Sequence, residues 1–508
     1  MHNALLGYTG FVGSHIRENL NPAVTEYFNS GNISEIVDQT FDTVYCACVP
    51  AVKWKANPVE DSTQINTLKR ILTSVKCRNF FLVSTIDVHN QEVLDQAEDN
   101  VVPSKESYGK NRYNLEVQLR EHFRDKLIIV RLPAVFGVGL KNNYMYDLMN
   151  DNEIDKININ SAFQWYSLSW LWEDMETALD EGRKVFNLYS ESIETGTIVA
   201  TFFPNLKEKS FKIGPRWFNS QSSNYGGRSK KEVLIAIDQF LAIEKMKKTR
   251  ENCLVASNMA WRTEHNEHAA FLMQRYGIKN IEILPTKFCN WEEVFQNNLQ
   301  EELEVFRRHD ISVYSVQAAF HGVQGRFGDD NVEKHMKNVV CFCENVGAQV
   351  LVIGSPAMRE KTCDRKALAD LLRKIQANTN VKICLEPNSS VYRCHVGTTL
   401  DTCAEVRGSC QNFWLNYDTG NAYMEKDRLP EVRDRIGHVQ ISNALLKPMK
   451  KSDYERLVGS GMCGAMVELL QEKNMKISLE VNMFDNVKLL GEQIRRFSRF
   501  YRTYFFED

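Results

Sequence analysis

The second half of the sequence alternates between short apolar runs and helix-length segments, and this alternation constrains the fold more than any other feature. In the segment Asp330–Gly347, apolar residues recur close to the helical period of 3.6 residues. Eight strands with intervening helices predict a closed (β/α)8 barrel. The strand-like runs are Cys253–Ala256, Asn280–Leu284, Ser312–Val316, Gln349–Ile353, Val381–Leu385, Asn412–Asn416, His438–Ile441 and Lys476–Leu479.

The first half alternates in a similar way but begins with a glycine-rich turn after its first strand. Helix-patterned stretches cover about residues 12–20, 62–75 and 108–123. This order predicts an α/β unit of the Rossmann type, in which a doubly wound parallel sheet carries helices on both faces. The predicted strands are Ala4–Leu6, Thr25–Phe28, Thr43–Val49, Phe80–Ser84 and Leu127–Leu132.

The chain changes character between these halves. Residues 200–250 are rich in proline, glycine and serine, and they end in the helix-patterned stretch Lys231–Lys247 and the basic segment Glu244–Glu251, which resembles an exposed linker. A chain of 508 residues accommodates two large domains. We therefore divide it into domains of residues 1–247 and 252–508.

Composition narrows the classes of partner. The chain has 62 Lys and Arg against 65 Asp and Glu, a balance that gives no electrostatic basis for binding nucleic acid or an anionic membrane. The 13 cysteines lack zinc-ligand spacing, and the N-terminus lacks the layout of a signal peptide. We therefore expect a cytoplasmic protein with reduced thiols and a small-molecule substrate. The sequence does not determine the oligomeric state, and a homo-oligomer is compatible with it.

The turn after the first strand has the sequence pattern of a dinucleotide-binding loop. Its glycines, Gly7, Gly10 and Gly13, would let the backbone approach a pyrophosphate at the start of the following helix. Because this turn both follows a strand and opens a helix, it has the context that the pattern requires.

With TGFVGSHI in that turn, residues 1–245 resemble the extended short-chain dehydrogenase/reductase family, which includes sugar-nucleotide epimerases and dehydratases. The resemblance implies NAD or NADP as cofactor. Asn29 and Ser30 occupy the place where an acidic residue commonly binds the ribose, so this position does not distinguish NAD from NADP. The implied cofactor contacts are Gly7, Thr9, Gly10, Phe11, Val12, Gly13, Asn29, Ser30, Tyr108, Arg112 and Pro133.

The same resemblance implies three catalytic positions. Thr85 takes the place of the hydroxyl residue, Tyr108 that of the acid/base, and Arg112 that of the family's lysine. The lysine holds the ribose and lowers the tyrosine pKa by its charge. Arginine keeps the charge but has a different shape and does not lose its proton, which puts turnover in question.

Four barrel strands end in polar groups where an ordinary core strand would end in apolar ones. Glu386 lies in KICLEPN, Asp418 in LNYDTGN, Gln440 in GHVQISN and Glu480 in ISLEVN. Because catalytic groups of such barrels sit at the carboxyl ends of the strands, these side chains should meet in one cavity. Three carboxylates repel one another unless a cation lies among them, so the pattern predicts a divalent metal.

Residues 253–485 resemble the xylose-isomerase-like barrels, a group that includes sugar-phosphate isomerases and ketose epimerases. In the epimerase branch Glu, Asp, His and Glu hold the metal, and the two glutamates also exchange a proton beside a carbonyl. Glu386, Asp418 and Glu480 match, whereas the His position falls on Gln440. That all-oxygen set favours Mn²⁺ or Mg²⁺ over Zn²⁺. Asn421 stands where the family often has another histidine.

Two further residues are candidates for the open end of the barrel, His321 and Glu282, while His438 matches the non-ligand histidine of the family pattern. The xylose-isomerase-like barrels also include nucleases of the endonuclease IV type. Nucleic-acid cleavage is disfavoured here, because the barrel offers too few metal-binding histidines and no basic groove.

Three interpretations follow. The first is a bifunctional sugar-modifying enzyme with a metal-assisted isomerase or epimerase barrel and an NAD(P)-dependent oxidoreductase domain. The second is an oxidoreductase whose barrel is a degenerate substrate-binding domain. The third is a non-catalytic cofactor-binding protein, and Arg112 and Gln440 are the residues that keep it open.

Overall fold

The computed structural model of the chain divides into two compact units, Met1–Glu244 and Lys245–Asp508. The predicted linker around residue 250 lies partly outside the described residues. Within the described part, no helix combines the length and the apolar content needed to cross a bilayer. The structure describes residues 2–50, 57–90, 98, 100–214, 227–248, 253–354, 356–407, 414–425, 433–443, 446–459, 475–481 and 487–505.

The first unit is built on a six-stranded sheet whose strands are all parallel, in the order β2-β1-β3-β4-β5-β9. The strands of this unit are β1 (Asn3–Leu6), β2 (Thr25–Phe28), β3 (Thr40–Cys46), β4 (Lys76–Thr85), β5 (Leu127–Leu132), β6 (Ala134–Phe136), β7 (Ala162–Phe163), β8 (Trp165–Ser167), β9 (Val185–Asn187) and β10 (Ile193–Glu194). The helices are α1 (Phe11–Arg17), α2 (Pro58–Leu72), α3 (Ser107–Phe123), α4 (Tyr144–Asn150), α5 (Leu171–Asp180), α6 (Thr195–Phe202) and α7 (Lys230–Lys248), of which α7 begins in this unit and runs past its last residue, Glu244.

The strand order places a crevice at the carboxyl end of β1. From β1 the chain passes first to β2 on one side and then to β3 on the other, so the connections diverge there. Ligands of open α/β sheets bind at such a point. The central strands are fully buried because helices cover both faces: every residue of Leu127–Leu132 is buried. The predicted Rossmann-type sheet is confirmed.

The second unit is a closed barrel of eight parallel strands, in which the last strand pairs with the first. Its strands are β11 (Leu254–Ser257), β12 (Asn280–Ile283), β13 (Ser312–Val316), β14 (Val350–Ile353), β15 (Lys382–Leu385), β16 (Trp414–Asp418), β17 (Ile436–Ile441) and β18 (Ile477–Leu479). Its helices are α8 (Asn266–Arg275), α9 (Trp291–Asn297), α10 (Gln300–Arg307), α11 (Asp330–Asn345), α12 (Arg365–Gln376), α13 (Leu400–Arg407), α14 (Thr419–Met424), α15 (Lys451–Gly459) and α16 (Val487–Phe505). The predicted barrel is confirmed.

The interior of the barrel is polar to an unusual degree. Barrel interiors are usually filled by layers of branched apolar side chains. Here seven polar side chains on the described barrel strands have no solvent exposure, and burying them is costly unless each has hydrogen-bond partners. These partners determine how the acidic strand ends are held. The seven residues are Ser257, Glu282, Ser315, Asn416, His438, Gln440 and Ser478.

Candidate functional site

Three carboxylates from three strands converge at the carboxyl end of the barrel. Glu386 follows β15, Asp418 ends β16 and Glu480 follows β18. One carboxylate oxygen from each lies within 4.8 Å of the other two, and all three residues are buried. Three oxygens at this spacing can share one ion, because oxygen ligands lie about 2.0–2.6 Å from Mg²⁺ or Ca²⁺. We call these residues the acidic cluster.

A glycine makes room for one member of the cluster. A Cβ atom on Gly354, directly after β14, would lie 1.9 Å from Glu386 Oε2. No side chain fits that space without displacing the carboxylate, so the glycine is needed for Glu386 to occupy its place beside the neighbouring strand.

Burial and mutual repulsion disfavour the ionised form of the three carboxyl groups in the acidic cluster. Burial, and then the charge of Asp418, raise the pKa of Glu386 to about 8. Burial raises the pKa of Asp418 to about 6. Burial, and then the charges of Glu386 and Asp418, raise the pKa of Glu480 well above its usual range. A cation would relieve both causes at once, so the donor set fits a hard divalent ion.

Hydrogen bonds from one turn link two members of the cluster. The side-chain amide nitrogen of Asn421 donates to Glu386 Oε1 over 2.9 Å. The backbone N–H of Asn421 donates to Asp418 Oδ1 over 2.6 Å. Ser442 Oγ donates to the other oxygen of Asp418 over 2.7 Å. Asn421 thus links the two carboxylates, holding Glu386 through its side chain and Asp418 through its backbone.

Gln440 pairs with Asp418 in the register of β16 and β17, but its side chain is already bonded. Its Nε2 donates to Glu282 Oε1 over 3.0 Å, and its Oε1 accepts from Asn416 Nδ2 over 2.5 Å. A cation bound by Gln440 would have to share Oε1 with Asn416. A ligand role for Gln440 stays a prediction.

Glu282 is the centre of the polar interior. His438 Nε2 and Ser315 Oγ each lie 2.8 Å from Glu282 Oε2, and Ser478 Oγ donates to Oε1 over 3.0 Å. Burial alone would raise the pKa of Glu282, but the hydrogen bond and charge of His438 and the bond from Gln440 outweigh it and lower the pKa. Glu282 is therefore a buried anion. His321, the other candidate, is exposed.

The glycine-rich turn of the first unit has the geometry of a backbone cradle. Gly7 has a φ of +81°, and a Cβ there would lie 2.6 Å from the Ala47 carbonyl oxygen. A Cβ on Gly13 would lie 2.1 Å from the Gly7 carbonyl oxygen. At Gly10 the one described atom within 4 Å is Gly7 O, 3.2 Å away. Two glycines thus close the turn, and the third leaves its outer side open.

The other predicted cofactor contacts lie around this turn. Thr9 is exposed, whereas Phe11 and Val12 are half-buried. Asn29, directly after β2, donates from Nδ2 to the Tyr8 hydroxyl over 3.2 Å. Ser30 is exposed, and Pro133 is half-buried between β5 and β6.

The predicted catalytic residues of the first unit lie on β4 and α3. Thr85 ends β4, and its Oγ1 accepts from the Asp87 N–H over 3.1 Å. A Cβ on Gly109 would lie 1.9 Å from the Asp87 carbonyl oxygen, so the start of α3 packs directly on the turn after Thr85. Tyr108, on that first turn of α3, is buried.

Arg112 is occupied by protein groups. Its guanidinium forms a buried ion pair with Asp61 and lies 3.8 Å from the centre of the Tyr108 ring. It also donates to the Tyr108 carbonyl over 3.3 Å and to the carbonyl of Pro50. Sequence reasoning missed Asp61, because an acidic residue in the first turn of a helix is expected there for its interaction with the helix dipole alone.

The comparisons with known proteins agree with this architecture. The protein-family model for the xylose isomerase-like TIM barrel matches residues 272–500. The search of curated protein sequences gave no match. The chain is similar in fold to a solved structure of the IOLI protein with a bound zinc atom, with 15% identity and a TM-score of 0.37, covering 50% of this chain and 99% of that one.

Epimerase and reductase structures are among the other matches. One is dTDP-4-dehydrorhamnose reductase from Yersinia enterocolitica, with 12% identity, a TM-score of 0.38 and coverage of 47% of this chain and 99% of that one. Another is UDP-N-acetylglucosamine 4-epimerase from Bacillus cereus, with 16% identity, a TM-score of 0.35 and coverage of 48% and 100%. Taken with the closed eight-stranded barrel, the family match identifies the C-terminal half of the chain as a xylose isomerase-like TIM barrel.

Proposed function

We propose that the barrel is a metal-dependent isomerase or epimerase acting on a hydroxy-carbonyl sugar or sugar phosphate, and that the first unit is an NAD(P)-dependent oxidoreductase or epimerase-like domain for a related sugar. The observation that carries the proposal is the convergence of Glu386, Asp418 and Glu480. Buried carboxylates that must share a small volume are costly without a cation, and so they favour a functional metal site over a structural one.

The metal would be held by the acidic cluster, with Mn²⁺ or Mg²⁺ favoured over Zn²⁺ by the oxygen donors. When bound, such an ion polarises a carbonyl and so acidifies the neighbouring C–H group. Glu386 and Glu480 would exchange the proton, one removing it from carbon and the other returning it.

In the first unit, Gly7, Gly10 and Gly13 would hold the pyrophosphate of the dinucleotide against the backbone. Bound NAD or NADP would supply the hydride chemistry. Tyr108 would move a proton to or from the sugar hydroxyl, and the Thr85 hydroxyl would orient the substrate. Arg112 would supply positive charge beside the Tyr108 ring.

A second candidate for the first unit is cofactor binding without turnover. The buried pair of Arg112 with Asp61 favours it, because a guanidinium neutralised by a carboxylate lowers the pKa of a nearby tyrosine less than a free charge does. Hydride transfer from bound cofactor to a panel of nucleotide sugars and free sugars separates the two candidates.

Deuterium exchange tests the barrel proposal. The full chain, loaded with Mn²⁺, is incubated in heavy water with a panel of ketoses, aldoses and their phosphates, and label at the carbon next to the carbonyl is measured. We expect incorporation with at least one sugar, lost on chelation and restored by Mn²⁺. Exchange that persists unchanged after chelation, or a chain that binds no Mn²⁺, would contradict the proposal. Nucleotide extraction from the same preparation tests the first unit independently.

A further inference from the structure

The glycine turn of the first unit is bonded to the end of β2, and an arginine lies beside this junction. The Gly7 N–H donates to the Phe28 carbonyl over 2.7 Å. Asn29, the next residue, donates from Nδ2 to the Tyr8 hydroxyl over 3.2 Å. The Arg17 guanidinium lies 5.5 Å from the centre of the Tyr8 ring. Tyr8 therefore packs against a positive charge at its ring and holds the end of β2 through its hydroxyl.

Arg17 is the last residue of α1, but its side chain extends back toward the glycine turn. Side chains on a helix lean toward the start of the helix, and α1 starts at Phe11, directly after Gly10. The guanidinium packs on the rings of Tyr8 and Tyr27, with 5.5 Å to each ring centre. The two rings thus hold a positive charge next to the turn that would bind the dinucleotide.

The turn after β2 offers hydrogen-bond donors and carries no carboxylate. The Gly31 N–H donates to Asn29 Oδ1 over 2.8 Å, and the Asn29 N–H donates to Asn32 Oδ1 over 2.7 Å. Both side-chain oxygens are therefore bonded within the turn, while Ser30 is exposed. Rossmann domains that bind NAD commonly have an Asp or Glu here, which accepts a hydrogen bond from the ribose. That acceptor is missing from residues 29–32.

From this geometry, and resting on the dinucleotide binding proposed for the first unit, we infer that Arg17 and Asn29 make this unit selective for NADP through its 2′-phosphate. A guanidinium held by two rings and an amide N–H attract a phosphate, whereas the carboxylate usual at this place repels it. A charge-assisted contact of this kind corresponds to roughly 10–100-fold in affinity.

Binding of NADPH and NADH to the full chain, measured by the fluorescence of the reduced nicotinamide, tests the inference. The wild type should bind NADPH about 10–100-fold more tightly than NADH. Arg17→Gln should weaken NADPH binding and leave NADH binding unchanged. Arg17→Lys should restore part of the preference, since an ammonium keeps the charge but lacks the planar fork. Competition by adenosine 2′,5′-bisphosphate and by 5′-AMP should differ in the same way, because these two compounds differ only in the 2′-phosphate.

Asn29→Asp tests the inference with Arg17 in place. Aspartate has the shape of asparagine, can still accept from the Gly31 N–H and can accept from the Tyr8 hydroxyl, so the turn should keep its structure. The new charge should weaken NADPH binding by about tenfold or more, because it repels the 2′-phosphate. NADH binding should stay the same or improve, because the ribose gains the acceptor that was missing.

Arg183→Gln is the matched control, because Arg183 lies just before β9, at the opposite edge of the sheet from β2. It should bind both dinucleotides as the wild type does. Wild-type affinity for NADH that equals or exceeds that for NADPH, or a preference that survives Arg17→Gln, would overturn the inference and leave the proposed function standing. If Arg17→Gln fails to fold, an unchanged preference in Asn29→Asp overturns it instead. A wild-type chain that binds neither dinucleotide would overturn the function proposed for the first unit, and the inference with it.

Discussion

Asn421 donates its side-chain amide to Glu386 Oε1 across 2.9 Å, and so ties the carboxyl end of β15 to the helix that follows β16. Its backbone N–H separately holds Asp418. One residue therefore sets the spacing of two carboxylates on neighbouring strands, and its side chain can be changed without removing the backbone bond.

The first prediction concerns this link. Asn421→Leu should lower Mn²⁺ affinity by about tenfold, because Glu386 loses a donor while Asp418 keeps its own. Titration of the full chain with Mn²⁺ measures the change. Asn345→Leu, on the exposed side of α11, is the control and should leave the affinity unchanged. Equal affinity in Asn421→Leu and wild type would show that the bridge does not shape the site.

Glu480→Gln should abolish proton exchange while the fold stays intact. Glutamine has the same shape but takes no proton from carbon, so activity should fall by at least about 10²-fold. Deuterium incorporation and thermal melting are measured together, with the partly exposed Glu492→Gln as control. Turnover at the wild-type rate would remove Glu480 from the mechanism.

The stability of the metal-free barrel should fall as pH rises. The folded-state pKa values, about 8 for Glu386 and about 6 for Asp418, lie above their unfolded values, so the folded state binds more protons. The contribution of these two carboxyl groups to the free energy of unfolding is therefore complete below about pH 4. It is lost as the pH rises through their folded-state pKa values.

Mn²⁺ should consequently raise the melting temperature more at pH 8 than at pH 5.5, since it replaces protons that the cluster otherwise retains. Melting curves with and without Mn²⁺ at both pH values measure the difference. An equal or larger effect of Mn²⁺ at pH 5.5 would mean that the cluster is not the site of binding.

The glycine turn offers a paired test. Gly10→Val should block dinucleotide binding and leave the fold intact, because its side chain would occupy the open outer side of the turn. Gly13→Ala should instead destabilise the first unit, because its Cβ would meet the Gly7 carbonyl at 2.1 Å. Gly196→Ala, whose Cβ would lie 3.6 Å from its nearest neighbour, is the control. Cofactor fluorescence and melting separate binding from folding; unchanged affinity in Gly10→Val would place the dinucleotide elsewhere.

Arg112→Leu should cost about 3–5 kcal/mol of unfolding free energy, because it leaves Asp61 buried without its partner. The double change Arg112→Leu with Asp61→Leu should recover most of that loss. Denaturant unfolding of the single and double variants measures the coupling. If the double variant is no more stable than Arg112→Leu alone, the pair is not the reason for the loss.

Much of the fold was predictable because both halves repeat one local pattern. Strand β13 and strand β5 lie where their apolar runs predict, and each is bounded by polar segments. Strand β16 was predicted at Asn412–Asn416, and residues 412–413 lie outside the described residues, but the strand ends at Asp418 rather than at Asn416. The shift arises because Asn416 points into a polar interior and Asp418 still belongs to the strand, whereas the prediction assumed an apolar strand that ends before its first acid.

The hydrogen-bond and ion-pair partners of the site residues were not predictable from the spacing of residues in the sequence. Glu282 meets His438 across 156 positions of sequence, and Arg112 meets Asp61 across 51. Buried polar groups must be satisfied by whatever strand or helix closes over them, so their partners are set by the three-dimensional path of the chain. The acidic cluster was predictable because the carboxyl ends of all strands in a parallel barrel lie at the same end of the barrel. Acidic residues that follow those strands in the sequence are therefore expected to lie close together.

Anomalous diffraction from crystals of the full chain grown with Mn²⁺ would show directly whether the acidic cluster holds a metal ion. We expect one strong peak in the barrel, bonded to oxygens of Glu386, Asp418 and Glu480 at about 2.0–2.6 Å. Well-ordered density for the three carboxylates with no peak among them, at Mn²⁺ concentrations in the millimolar range, would contradict it.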